Sequence, residues 1–209
     1  MCFMSRLTLS AAELKKRFQA ELDSDEKYLP SEEINGFSFP KTPVIANNEP
    51  AKIQLFNWGL LPSWAKDDTF RKNTLNARLE TIQEKPSFKP YVQNRCLILA
   101  DGFYEWQWLD PQGKKKLKYL ITVEDEEAFA FAGLWNKWIN PQNGLILNTY
   151  TIITKPANAL MAEIHNSKQR MPFILHRKDE NSWLAGKEVE FAEVPLVAKA
   201  LGNKPNTLF

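Results

Sequence analysis

Residues 95–108 read Arg95-Cys96-Leu97-Ile98-Leu99-Ala100-Asp101-Gly102-Phe103-Tyr104-Glu105-Trp106-Gln107-Trp108. The first six residues form a short apolar run typical of a fully buried strand. Phe103 to Trp108 alternates as a second strand. Downstream, Pro111-Gln112-Gly113-Lys114 is a turn, and Lys118–Val123, Phe129–Trp135 and Leu145–Thr154 are further strands. Phe173-Ile174-Leu175 adds a short one. Upstream, Ile53-Gln54-Leu55-Phe56 reads as a strand ending near Trp58-Gly59. Ser10-Ala11-Ala12-Glu13 is a capping box, and Leu14, Phe18 and Leu22 follow at helical spacing, which predicts a helix over 11–23. Shorter helices are expected over 157–164, behind Pro156, and over 178–185. Asp23–Glu33 is an acidic connection, Phe37–Pro50 a Pro-containing loop with short extended pieces, and Asp67–Leu75 polar and irregular. Many strands, few helices and no regular β-α alternation give an α+β class: one domain over 1–209, with a curved, mostly antiparallel, barrel-like sheet and flanking helices.

Composition narrows the function. The 209 residues are 44% hydrophobic and 25% charged, enough apolar surface to rule out intrinsic disorder. Apolar runs reach only about five to six residues, so no membrane span is expected. The start lacks a basic segment followed by an apolar one, so no signal peptide is expected and the location is read as cytoplasmic. A net charge of +2 gives no electrostatic signature by itself. Two cysteines make no disulfide framework, and without a CxxC or HxxxH pair no metal and no other cofactor is called for. Nothing signals an oligomer, so a monomer is the default.

Cys2 carries the sharpest chemistry. Its side chain is small enough for Met1 to be removed, which would leave a thiol and a free α-amine on one residue. Their ordinary pKa values, about 8.5 and about 7.7–8.0, give both groups usable nucleophilic fractions at neutral pH. Such an aminothiol condenses with an aldehyde to a Schiff base, which the thiolate closes to a thiazolidine. The competing reading is an accidental cysteine at a frayed end. Glu105, between Tyr104 and Trp106, is a candidate proton-transfer carboxyl with a raised pKa, against an outward-facing strand glutamate. His165 is one of two histidines, the alternative being a cap or core residue. Cys96 reads as an inert buried thiol. Asn76 offers amide donors and Arg78 a phosphate-matching fork, against a loop with a surface Arg–Glu pair. Lys66, Arg71, Lys72, Lys85 and Lys89 interleave with Trp58, Trp64, Phe70 and Phe88, a mixture that suits single-stranded nucleic acid, against core aromatics with solvated lysines. Lys114–Lys116 and Glu124–Glu127 read as solvated turns.

Taken in order, Met1-Cys2, Trp58-Gly59-Leu60-Leu61-Pro62-Ser63-Trp64, Asn76-Ala77-Arg78-Leu79-Glu80-Thr81, Phe88-Lys89-Pro90, the run from Arg95 to Trp106, Ala132-Gly133-Leu134-Trp135, Thr151-Ile152-Ile153-Thr154, Ile164-His165 and Arg170-Met171-Pro172 resemble the SRAP family of abasic-site-processing proteins. The resemblance covers nearly the whole chain. It implies recognition of abasic sites in single-stranded DNA and a thiazolidine crosslink between the N-terminal cysteine and the ring-opened sugar. Carried onto this sequence, Cys2 is the nucleophile, Asn76 orients the reacting amine or sugar, Glu105 shuttles protons, and His165 assists ring opening and crosslink reversal. Arg78 and Arg170 would hold phosphates, and with Trp64, Lys66 and Arg6 they make up the expected DNA-binding set. The family's peptidase name reflects removal of Met1, for which self-processing is implied. The alternatives are a thiol peptidase acting on protein substrates and a non-covalent single-strand binder. Three segments depart from the family pattern. Phe3-Met4-Ser5-Arg6 replaces a Gly-Arg after the cysteine, Phe37–Pro43 replaces an Asn-Val-Ala-Pro-like loop, and Asn166–Gln169 widens the spacing between His165 and Arg170.

Overall fold

A computed structural model describes residues 2–23, 27–190 and 192–202. Along the chain lie β1 (Met4–Leu7), α1 (Ala11–Phe18), β2 (Glu21–Leu22), β3 (Ser31–Asn35), β4 (Lys41–Ala46), β5 (Lys52–Trp58) and β6 (Asn76–Arg78). They continue with β7 (Arg95–Ala100), β8 (Gly102–Trp108), β9 (Lys116–Val123), β10 (Phe129–Ile139), β11 (Ile146–Pro156), α2 (Ala159–Ile164), β12 (Arg170–Pro172), β13 (Ile174–Leu175), α3 (Glu180–Leu184) and β14 (Leu196–Leu201).

The apolar run at 95–100 lies at the centre because it has neighbours on both edges. β7 pairs antiparallel with β4 on one side and β10 on the other. β10 continues antiparallel to β11, and β4 to β5. A parallel pairing of Thr149 and Tyr150 with Asn57 and Trp58 then joins β11 to β5 and closes the ring β5-β4-β7-β10-β11. Closure removes the open edges such strands would otherwise expose. A second sheet, in the order β14-β9-β8-β1-β3, packs beside it. Alternate residues of the barrel strands feed two separate buried clusters, as a period of two requires. Cys96, Ile98, Phe131, Tyr150 and Ile152 join Cys2 and Phe103 in one. Leu97, Leu99, Ala130, Ala132 and Ile153 join Leu14 of α1 and Trp183 of α3 in the other. Arg17 of α1 forms a two-pronged ion pair with Glu180 of α3 and donates to Ala128 O, which fixes the helical layer over the barrel. Among the described residues no helix is long and apolar enough to cross a membrane.

The mostly antiparallel sheet with few helices matches the class read from the sequence, and so do the strands at 95–100 and 103–108. The first helix is shorter than predicted. Its capping box forms, but Gln19 takes a left-handed conformation (φ 53°) that ends the helix, and Leu22 pairs in β2 with Ile53 of β5. Part of the expected connection at 23–33 is instead strand β3, the remainder including residues outside the described ones. The loop predicted over 37–50 contains the six-residue β4. Its Pro43 is tolerated because it is in register with Leu55 of β5 only, the pairing with β7 starting at Val44. Pro156 ends β11 rather than opening a helix, and Asn158 caps α2 through its bond from Met161 N.

Gly133 on β10 marks how tightly the barrel is filled. A Cβ there would meet Ile98 Cδ1 at 2.2 Å, Thr151 O at 2.8 Å and Cys96 Sγ at 3.0 Å. Thr151 O is backbone and cannot yield cheaply. Gly133→Ala is therefore expected to destabilise the fold by about 1–3 kcal/mol through overpacking, read as a lower urea midpoint at unchanged slope. An unchanged midpoint would mean that the barrel relaxes more freely than its contacts imply.

Candidate active site

The position of Cys2 is set by β1. That strand pairs with β8 through Ser5–Phe103 and Arg6–Gly102, and with β3 through Met4–Asn35. The side chain that fixes it is Asp101, buried at the break between β7 and β8. Its carboxylate receives Arg6 Nε at 2.7 Å, Thr8 N at 2.6 Å and the Thr8 hydroxyl at 2.5 Å, while Asp101 N donates to Arg6 O at 3.0 Å. Gly102 lets β1 come this close, since a Cβ there would sit 3.3 Å from Arg6 Nε and 2.9 Å from Leu120 Cδ1. Two residues beyond β1, Cys2 is fully buried, its Sγ 3.8 Å from Met4 O. Residue type alone does not mark Asp101 as a positioning residue; its place between two strands that both continue does.

Asn76 reaches Cys2 from the barrel. β6 runs parallel to the end of β11, with Asn76 opposite Ile152 and Arg78 opposite Thr154. Trp58 Nε1 donates to Leu75 O at 2.9 Å and so fixes the residue before Asn76. Asn76 Nδ2 then donates to Cys2 O at 2.9 Å. Its Oδ1 is buried with no partner among the described residues, an acceptor held beside the Cys2 backbone.

Glu105, on β8, is buried. Burial pushes its carboxyl from 4.5 up to about 7. Burial, and then the negative charge of Glu105, also raises the Cys2 thiol well above its ordinary value, so the two groups act on each other. His165 caps the C-terminal end of α2, whose Met161 is buried in the same cluster as Cys2. α2 is stitched to β8: Trp108 N donates to Asn166 Oδ1 at 3.0 Å, Asn166 Nδ2 to Trp108 O at 2.9 Å, and Gln107 Nε2 to Glu163 O at 3.2 Å. His165 Nδ1 lies 2.7 Å from Arg170 O. Burial depresses its pKa, and the positive charges of Lys168 and Arg170 act in the same direction. At neutral pH the imidazole is therefore uncharged and Glu105 populates both protonation states.

The expected DNA-binding residues divide into two groups. Arg78, Trp64 and Lys66 are exposed. Trp64 meets Phe70 edge-on at 4.8 Å, and the two line a surface cavity of about 300 Å³ with Lys66 and Lys72. Trp58 and Phe88 of the same stretch are buried core. Arg170 is buried and committed internally, with both guanidinium arms on Glu80 and a bond to Thr154 O at 2.7 Å. Arg6 is engaged by Asp101. Both arginines brace the strands around the site through these internal contacts. Among the described residues no cluster of His, Cys, Asp and Glu is arranged to hold a metal ion.

The raised Glu105 pKa has a sign that stability can report. The folded state keeps a proton that the unfolded chain releases near 4.5, so Glu105's contribution is most favourable below that pH, is lost as pH rises towards about 7, and is level above it. Across this window wild-type stability should fall by about 3 kcal/mol from this group alone. Glu105→Gln removes the titration. Its stability relative to wild type should therefore grow between about pH 5 and about pH 8 in urea unfolding. Parallel pH profiles would show that the carboxyl is not desolvated as described.

A family model described as SOS response associated peptidase (SRAP) matches residues 1–206. The chain is 47% identical over 146 residues to the abasic site processing protein YoqW of Bacillus subtilis (strain 168), a match spanning 69% of this chain and 61% of that protein. It is 33% identical to the abasic site processing protein HMCES of Gallus gallus, over 93% of this chain and 67% of the relative. The alignment with YoqW thus leaves well over a third of that relative unmatched. Among solved structures, a Bacteroides thetaiotaomicron protein superimposes with a TM-score of 0.86 at 32% identity, covering 97% of this chain and 93% of that one. A Bordetella bronchiseptica protein at 22% identity shares the fold, with a TM-score of 0.77. A family-model match over residues 1–206, almost the full length, means that this chain belongs to the SRAP family.

Proposed function

We propose that the protein processes abasic sites in single-stranded DNA by joining Cys2 to the ring-opened sugar as a thiazolidine. The observation that supports this most is the pairing of a buried Cys2 with a carboxyl poised near neutrality. Met1, whose removal by the chain itself or by an aminopeptidase the chemistry requires, lies outside the described residues. The closed deoxyribose must first open, which takes a proton from the anomeric hydroxyl and gives one to the ring oxygen. A neutral imidazole and a half-ionised carboxyl suit those two tasks near pH 7. The Cys2 amine then adds to the aldehyde carbon, and the carbinolamine loses water to form an imine.

The raised thiol pKa sets the order of events. A thiol desolvated beside Glu105 keeps its proton, so the amine attacks first. A protonated imine brings positive charge next to the sulfur and favours the thiolate. The sulfur then bonds to the imine carbon, the π pair moves to nitrogen, and the thiol proton leaves through Glu105. One water is released overall and no oxidant is needed. Asn76, fixed on Cys2 O, holds the residue still while its amine and thiol act in turn. Arg78, Trp64 and Lys66 are the exposed groups suited to phosphates and bases.

Incubating Met1-free protein with abasic single-stranded DNA should give a heat-stable shifted band. Cys2→Ser should give none, although its amine could still be trapped by reduction. A stable band from Cys2→Ser would overturn the reading. Glu105→Gln and His165→Ala should slow the crosslinking time course by about 10²–10⁴-fold at saturating protein while DNA affinity changes little. Equal loss of affinity and rate would assign both residues to DNA positioning. Arg78→Ala should weaken binding evenly across sequences and flatten the log–log salt slope by about 0.7 per lost contact. An unchanged slope would make Arg78 a structural residue.

A further inference from the structure

We infer that Phe37, backed by Phe3, is a stacking platform for the base flanking the abasic sugar, and so a residue that sets substrate preference. The inference rests on the proposed reading of Cys2 as the attachment point. Phe3 directly follows Cys2. The β1–β3 ladder, whose last described pair is Met4–Asn35, is extended one step by Gly36 N donating to Phe3 O at 2.9 Å. That step sets the Phe3 and Phe37 rings 4.8 Å apart at 35°. Gly36 lies against the face of Trp58, where a Cβ would meet the indole at 3.2 Å. The same indole holds Leu75 O, next to the Asn76 that grips Cys2. Phe37 is thereby referenced to the same fixed points as the nucleophile.

The neighbouring aromatics are already used. Phe39 has the Arg71 guanidinium 4.6 Å from its ring centroid, and Phe3 is partly buried under Phe37. Phe37 is 55% exposed, one of the larger apolar exposures among the described residues. Its position on a pinned turn makes it a preorganised flat surface. An abasic gap supplies the complement, since the base beside it has lost a stacking neighbour and presents a bare π face. Stacking of this kind tolerates any base, as a lesion-directed site requires.

The test uses non-covalent binding, so that it is separate from the Cys2 chemistry. One single-stranded oligonucleotide carries a tetrahydrofuran abasic analogue between adenines. A second has tetrahydrofuran at the flanking positions too. Phe37→Ala should weaken binding of the first about tenfold and leave the second unchanged. Phe37→Trp should restore wild-type binding, and the exposed position lets melting curves verify that both variants fold. Equal affinity of Phe37→Ala and wild type for the first oligonucleotide, or the same loss on both, would overturn the platform. Tighter binding by Phe37→Ala would overturn it too, by marking Phe37 as a lid. A protein that shows the predicted stacking yet forms no adduct with a true abasic site would keep the platform and lose the reading of Cys2. One that crosslinks but ignores Phe37→Ala would do the reverse.

Discussion

The buried carboxylate of Asp101 is the constraint on which the site depends. It gathers the Arg6 guanidinium and two donors of Thr8, and its own backbone N–H reaches Arg6 O. Every one of these bonds draws the N-terminal strand down onto the junction of β7 and β8. A short strand at a chain terminus would ordinarily fray. Here it is locked at one end by an ion pair whose carboxylate is buried and whose guanidinium is partly exposed. Because Cys2 lies only two residues before β1, the lock sets the place of the thiol directly. The barrel supplies Asn76 to the same point from the opposite side.

The site gathers groups that would be more comfortable in water. Cys2 and Glu105 are both desolvated, an Asn76 acceptor is buried without a partner among the described residues, and the His165 imidazole is kept neutral. Each is a local cost, and together they are tolerable because a closed, tightly filled barrel stands beneath them. Groups tuned by burial draw on the stability of their surroundings in this way. The ladder from β8 to α2 through Asn166 and Trp108 serves the same end, since it keeps His165 from relaxing away.

The central strands were legible in the sequence because burial on both faces leaves an unmistakable apolar run at Arg95–Ala100. The edge elements were not. β3, Ser-Glu-Glu-Ile-Asn, lies at the end of its sheet with polar side chains in solvent, so no alternation marks it. β4 hides behind Pro43, whose missing donor matters only where a neighbour would need it. The first helix reads longer in the sequence than it is, because Leu22 continues the helical spacing while belonging to β2. Of the site, Cys2, Asn76 and Glu105 could be named from residue type and order, and the fold brings them together. Arg170 shows the limit. A guanidinium suited to phosphate is equally suited to a carboxylate, and only the packing of β12 beside Glu80 shows which it meets.

In the proposed reaction one residue supplies both the amine and the sulfur. An imine and a thiazolidine have the same mass, each the sum of protein and DNA less one water, so the adduct should be weighed intact before and after borohydride treatment. No change is expected, because a closed thiazolidine has no C=N bond to reduce, and peptide mapping should then place the adduct on Cys2. Uptake of two hydrogens, or an adduct mapped to any other residue, would contradict it.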